Sequence, residues 1–149
     1  MHIDEGIVKI GSEILRQRAD NVERVDSSIS NELYLSMSLA MYKYGGIGLA
    51  APQIGASKRV IVIDDNGDAY MMINPRITWK SQELSSFDEA CLSVPDEHGQ
   101  VIRPVSIKVK FQDKTGKHKH WKLDGLKSRV VQHEIDHLDG ILFVDHLEK

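Results

Sequence analysis

Apolar residues change their spacing near residue 59. Before that point Ile29, Leu33, Met37, Ala40 and Tyr44 recur at intervals of three and four, which predicts a helix over residues 30–44 behind the polar cluster Asp26, Ser27 and Ser28. Residues 1–26 mix Ile3, Ile7, Val8, Ile10, Ile14, Leu15, Val22 and Val25 with charges, and suggest an arm over the core with a helical turn near Ser12 to Arg16. From Arg59 onward, short apolar or alternating runs predict strands at 60–64, 70–73, 76–80, 100–102, 105–111 and 117–123. Asp65-Asn66-Gly67 and Asp113-Lys114-Thr115-Gly116 have the composition of hairpin turns, so the sheet should be largely antiparallel. A second helix follows, in which Leu126, Val130, His133 and His137 continue one stripe at spacings of four, three and four. Asp124 stands where an N-cap is expected and Gly140 where a left-handed stop is expected.

Composition narrows the class without deciding the chemistry. The 149 residues fit one domain, and 41% apolar with 28% charged residues is ordinary for a globular chain. No apolar run approaches the ~20 residues that span a bilayer, and His2, Asp4 and Glu5 occupy the place of a signal peptide's basic and apolar regions, so the cytosol is expected. A net charge of −3 with mixed signs argues against a nucleic-acid surface. The single cysteine, Cys91, has no partner for an internal disulfide.

The second helix carries His-Glu-x-x-His at residues 133–137. Four residues advance a helix by slightly more than one turn, so both imidazoles project from nearly one face, as two ligands of one metal ion would. Glu134 lies about 100° round the helix from His133, which suits a general base better than a third ligand on that side. After His137 come Leu138, Asp139, Gly140 and Ile141, without the further histidine of one common protease pattern. Cys91 is the remaining soft donor, and one Cys with two His is an accepted three-ligand set. His118 and His120, beside lysines on the last predicted strand, read instead as a solvated edge. Residues 45–55, G-G-I-G-L-A-A-P-Q-I-G, form a small-residue loop without the endings of a phosphate cradle. Such a loop allows close backbone pairing with an extended ligand, and Gln53 adds an uncharged donor.

Gly46-Ile47-Gly48-Leu49-Ala50-Ala51-Pro52-Gln53-Ile54-Gly55, Glu89-Ala90-Cys91-Leu92-Ser93 and Gln132-His133-Glu134-Ile135-Asp136-His137 occur in this order. With these three motifs the chain resembles the peptide deformylases from about Ile10 to Val144. The resemblance implies an α+β fold in which antiparallel β-sheets wrap around a central metal-binding helix, in one catalytic domain over residues 1–149. It implies removal of the N-formyl group from the initiator methionine of new polypeptides, by a monomer that needs no nucleic acid or membrane, with a ribosome-associated substrate as an open option. By motif position Cys91, His133 and His137 would bind the metal, Glu134 would be the acid/base residue, and Gln53 with the Leu92 N–H would hold the oxyanion. Ile47 and Gly48 would pair with the substrate backbone, while Phe87, Leu126 and Val130 would line the methionine pocket. The cofactor implied is one divalent ion, Fe2+ in the cell, with Zn2+, Ni2+ or Co2+ tolerated.

Glu89 and Arg103 are candidate partners that fix the Cys91 loop, with an ordinary surface salt bridge as the alternative. Two departures stand out: Ala90 replaces the usual glycine before the cysteine, and the sequence does not continue into the C-terminal helix of many bacterial members. The second feature resembles short bacteriophage forms, for which the host cytoplasm would be the setting. The rival readings are a small zinc peptidase and a metal-binding homologue with impaired catalysis.

Overall fold

The computed structural model of the protein describes residues 6–147; Ile3, and the His2, Asp4 and Glu5 of the leader argument, lie outside the described residues. Strand β1 (Gly48–Ala50) pairs antiparallel with β2 (Val60–Asp65), and β2 with β3 (Asp68–Lys80). Strands β4 (Leu84–Cys91) and β5 (Val94–Pro104) form a separate two-stranded sheet, while β6 (Ser106–Gln112) and β7 (His118–Asp124) complete a five-stranded sheet in the order β1-β2-β3-β6-β7. Helix α1 (Tyr34–Lys43) covers one face of the larger sheet and α2 (Gly125–Leu138) the other. The expected α+β architecture of antiparallel sheets around the histidine-bearing helix is the observed one.

Alternation along β2 explains how one strand serves both layers. Val60 and Val62 face the cluster of Met37, Met41 and Leu49, whereas Ile61 and Ile63 face Val130, Val131, Ile135 and Leu138 of α2. With both faces covered, β2 is continuously apolar, and each such side chain contributes about 1.5–3 kcal/mol when fully buried. A third cluster of Leu15, Val94, Val101, Leu142 and Phe143 fastens the β4–β5 hairpin to segments near both ends of the described chain.

Several expectations need correction. Residues 70–73 and 76–80 belong to one strand: Asn74 adopts φ 51°, its side chain bonds to both Val22 N–H and Val22 carbonyl at 2.8 Å, and the strand bulges past it without ending. Residues 84–91 form β4, which periodicity does not signal. The loop at 45–55 contains β1 and a 3₁₀ turn over Ala51–Ile54. The first helix begins earlier, with a π-helical segment at Ser28–Leu33 seated on Asp26, whose carboxylate accepts the Ser28 and Ile29 N–H groups. Tyr44, last on its stripe, is 40% exposed. Asp124 precedes α2 in extended backbone but accepts a bond from its cross-strand partner Ser106 at 2.5 Å and does not cap the helix.

Gly140 ends α2 as expected, at φ 75°, and a Cβ there would lie 2.6 Å from the Arg16 carbonyl oxygen. Arg59 also closes this end, donating to the Leu138 carbonyl at 2.8 Å.

Candidate functional site

His133 and His137 sit one turn apart on α2, and Cys91 reaches them from the end of β4. The candidate donor atoms of these three residues all lie within 4.8 Å of one another. Cys91 Sγ is 3.3 Å from His137 Nε2. Donors about 2.0–2.3 Å from a tetrahedral ion are themselves roughly 3.5 Å apart, so the spacing and the soft S/N/N donor set both fit a divalent cation.

Charge around the cluster also favours a cation. Burial and the neighbouring positive groups push His137 down to about 3, leaving a neutral imidazole. His133 is largely buried, which alone would disfavour charge, yet the Glu134 carboxylate, Cys91 and Glu89 draw it up to about 10. An environment that holds a proton on that ring so firmly would also welcome a metal ion in its place.

Behind His133 lies Glu89, buried on β4. Its Oε1 accepts from His133 Nδ1 at 2.9 Å and Arg103 Nη2 at 3.0 Å; its Oε2 accepts from Arg103 Nε at 2.7 Å and Arg129 Nη1 at 2.5 Å. Burial pushes the Glu89 carboxyl up, but the bonds from His133 and Arg103 outweigh it and hold the group at about 2. Through its Nδ1 bond Glu89 fixes the ring so that Nε2 faces Cys91. Arg103 continues to Asp136 at 2.9 Å, and Asp136 to His146 at 3.1 Å. Glu89→Gln leaves the buried Arg129 guanidinium without its anion and Arg103 with Asp136 alone, and is expected to lower unfolding free energy by about 3–5 kcal/mol, measurable by denaturant titration. Metal affinity should fall about 10–100-fold in the same variant.

Glu134 is buried beside the cluster, and among the described residues its Oε1 has no hydrogen-bond partner. Burial is the main cause that lifts its carboxyl to about 7, against the pull of His133 and Arg103. Gly48 explains how the carboxylate finds room: a Cβ there would lie 2.8 Å from Glu134 Oε2 and 2.7 Å from Val130 Cγ1.

Gln53, 2% exposed, is oriented from three sides. Its Oε1 accepts the Ala50 N–H at 2.9 Å, so Nε2 points to Ser93 Oγ at 3.1 Å and Cys91 Sγ at 3.6 Å. The N-terminal arm ties this group to the cysteine turn. Val8 N–H donates to the Gln53 carbonyl at 2.7 Å, Ile10 N–H to the Ser93 carbonyl at 2.8 Å, and Lys9 Nζ to the Leu92 carbonyl at 2.9 Å.

These groups open into a cleft of about 610 Å³ whose lining includes Ile47, Gly48, Gln53, Phe87, Cys91, Leu92, Leu126, Val130, His133 and Glu134. Every residue singled out in the sequence for catalysis or substrate contact therefore lies on this cleft, and His137 lies behind it. Leu126 is 54% and Phe87 51% exposed, so the stripe of α2 is apolar because it borders the cleft, not because it is wholly buried. Ala90 has no positive φ, so its methyl is accommodated without backbone strain at the cleft mouth. His118 and His120 are exposed on edge strand β7, as expected, with His120 Nε2 bonded to Thr78 Oγ1 at 2.9 Å.

Arg129 and Asp136 were not legible as parts of the site. Arg129 lies one turn before His133, and that spacing was the available signal.

Residues 5–149 match the family described as polypeptide deformylase. A peptide deformylase of Picosynechococcus sp. is 48% identical over 144 residues, covering 93% of this chain and 76% of the relative. The crystal structure of a probable peptide deformylase from Synechococcus phage S-SSM7 superposes with a TM-score of 0.91 at 59% identity, covering 95% of this chain and 98% of the other. A peptide deformylase from Synechococcus elongatus in complex with actinonin gives a TM-score of 0.92 at 40% identity, over 96% of this chain and 78% of that one.

Proposed function

The chain belongs to the polypeptide deformylase family, and we propose that Cys91, His133 and His137 hold its divalent ion while Glu134 moves the protons of the reaction. The protein is a hydrolase that removes the N-formyl group from the N-terminal formyl-methionine of new polypeptides, releasing formate. The observation that carries the assignment of residues is the closure of one sulfur and two imidazoles to within 4.8 Å beside a buried carboxylate with a free oxygen. Among the described residues no helix is long and apolar enough to cross a membrane.

When bound, the ion would supply Lewis acidity toward water and the formyl carbonyl. Glu134 takes a proton from the attacking water and returns it to the leaving amine as the C–N bond breaks, a role suited to a carboxyl near pH 7. Gln53 Nε2 and the Leu92 N–H donate to the oxygen on which negative charge develops. Gln53→Ala is therefore expected to lower kcat about 10²–10³-fold, measured as formate release under saturating peptide. Backbone groups of Ile47 and Gly48 pair with the extended peptide, and Phe87, Leu126 and Val130 receive the methionine side chain. Gly48→Ala forces Glu134 or Val130 aside and should cost about 10²-fold in kcat/KM, since small displacements of reacting groups have effects of that order.

The thiolate and two imidazoles suit iron or zinc, and ferrous iron is the working metal of this proposal. The protein acts as a monomeric single domain on nascent chains in the cytoplasm. The test compares formyl-Met-Ala-Ser with unformylated Met-Ala-Ser, using iron-loaded protein prepared without oxygen. Formate and free Met-Ala-Ser should appear in equal amounts from the first, with the second left intact. Internal cleavage of either peptide would favour the peptidase reading instead.

A further inference from the structure

Arg129 is an arginine, 6% exposed, on the helix wall of a cleft meant for an uncharged side chain. Both terminal nitrogens of its guanidinium are engaged. Nη1 donates to Glu89 Oε2 at 2.5 Å and to the Val101 carbonyl at 2.9 Å; Nη2 donates to the Ser85 carbonyl at 2.8 Å and to Ser85 Oγ at 3.1 Å.

The acceptors share a relation to one residue, Phe87. Ser85 and Glu89 flank it two positions away on β4, so all three side chains point to the same face. Val101 is its cross-strand partner on β5. The guanidinium carbon itself lies 5.5 Å from the centroid of the Phe87 ring, within cation–π range. Phe87 is 51% exposed and lies outside the three buried clusters, so burial in the core does not fix its position. Its fixed neighbour is Arg129.

Across the cleft stand Leu126 and Val130, three residues before and one after Arg129 on the same helix. The gap between the Phe87 wall and the α2 wall is thus the gap that the Arg129 side chain bridges.

We propose that Arg129 is a positioning residue that sets the width of the methionine pocket by pinning the Phe87 segment of β4 and β5 against α2. This deepens the deformylase reading and rests on it. A planar fork bonded at four places resists sliding, whereas a wall held by apolar contact alone would yield to a larger side chain. Arginine therefore acts here as a spacer of defined length, and its charge is consumed by Glu89.

The test measures kcat and KM for formyl-Met-Ala-Ser and formyl-Phe-Ala-Ser with the wild type, Arg129→Met and Arg129→Lys, each at saturating metal and each checked for a cooperative thermal transition. Methionine keeps most of the stem volume without the fork; lysine keeps a charge for Glu89 but cannot reach Ser85 and Val101 together. Both variants should lose about tenfold of the wild-type preference for the methionyl peptide, through a raised KM for it and a lowered KM for the phenylalanyl peptide, with little change in kcat. An unchanged ratio in either folded variant, with both peptides slowed alike, would overturn the proposal and leave Arg129 a purely structural residue. If Arg129→Met does not fold, the lysine variant decides. Failure of the wild type to release formate from either peptide would instead count against the deformylase reading itself.

Discussion

Glu134→Ala is expected to abolish nearly all formate release, a fall of about 10²–10⁴ in kcat, while the protein still binds its metal. The carboxylate lies off the face that presents His133 and His137, so its loss removes no ligand of the proposed set. Its free Oε1 and a carboxyl lifted to about 7 by burial make it a group that can take a proton and give it back near neutral pH. Glu134→Gln keeps the shape beside Gly48 and cannot accept the proton, so it should be nearly as inactive as the alanine variant. Metal analysis and formate assay on the same preparations check this. Near wild-type turnover in either variant would remove Glu134 from the chemistry.

Cys91→Ala should have the second large effect, on metal retention. Of the three proposed ligands the sulfur alone does not come from α2; without it two imidazoles one turn apart remain, and His137 Nε2 and Gln53 Nε2 each lose a neighbour. Loss of a group behind a ligand typically weakens binding about 10–100-fold, and loss of the ligand itself should exceed that. After dialysis against a weak chelator, metal should fall from about one ion per chain to a small fraction of that, with activity falling in proportion. An unchanged stoichiometry would place the third ligand elsewhere.

What the chain disclosed in advance was whatever local geometry dictates. His133, Glu134 and His137 stand at spacings that a helix converts directly into positions, and Gly140 had to end that helix because only glycine fits against the Arg16 carbonyl at φ 75°. Both hairpin turns followed from Asn-Gly and Asp-Lys-Thr-Gly chemistry, with Asn66 at φ 56° and Gly116 at φ 88°. Strand β4 was hidden for a physical reason. Its residues Ser85 and Glu89 are held to α2 by the guanidinium of Arg129 and, through Asp136, by that of Arg103, not by an apolar stripe, so no alternation marked it. Arg129 was missed for the same reason: an arginine on a helix is ordinarily solvated, and its buried acceptors come from segments 28 to 44 residues away. The bulge at Asn74 looked like a break because Asn-Pro usually ends a strand, whereas here its side chain bonds to Val22 and holds the kinked strand in place.

The most direct measurement is X-ray absorption at the metal edge of the iron-loaded protein, repeated with Cys91→Ala. The account predicts one sulfur at about 2.3 Å and two imidazole nitrogens near 2.1 Å, with the sulfur shell gone in the variant. A shell of nitrogen and oxygen alone in the wild type would contradict it, as would a sulfur signal that survives the loss of Cys91.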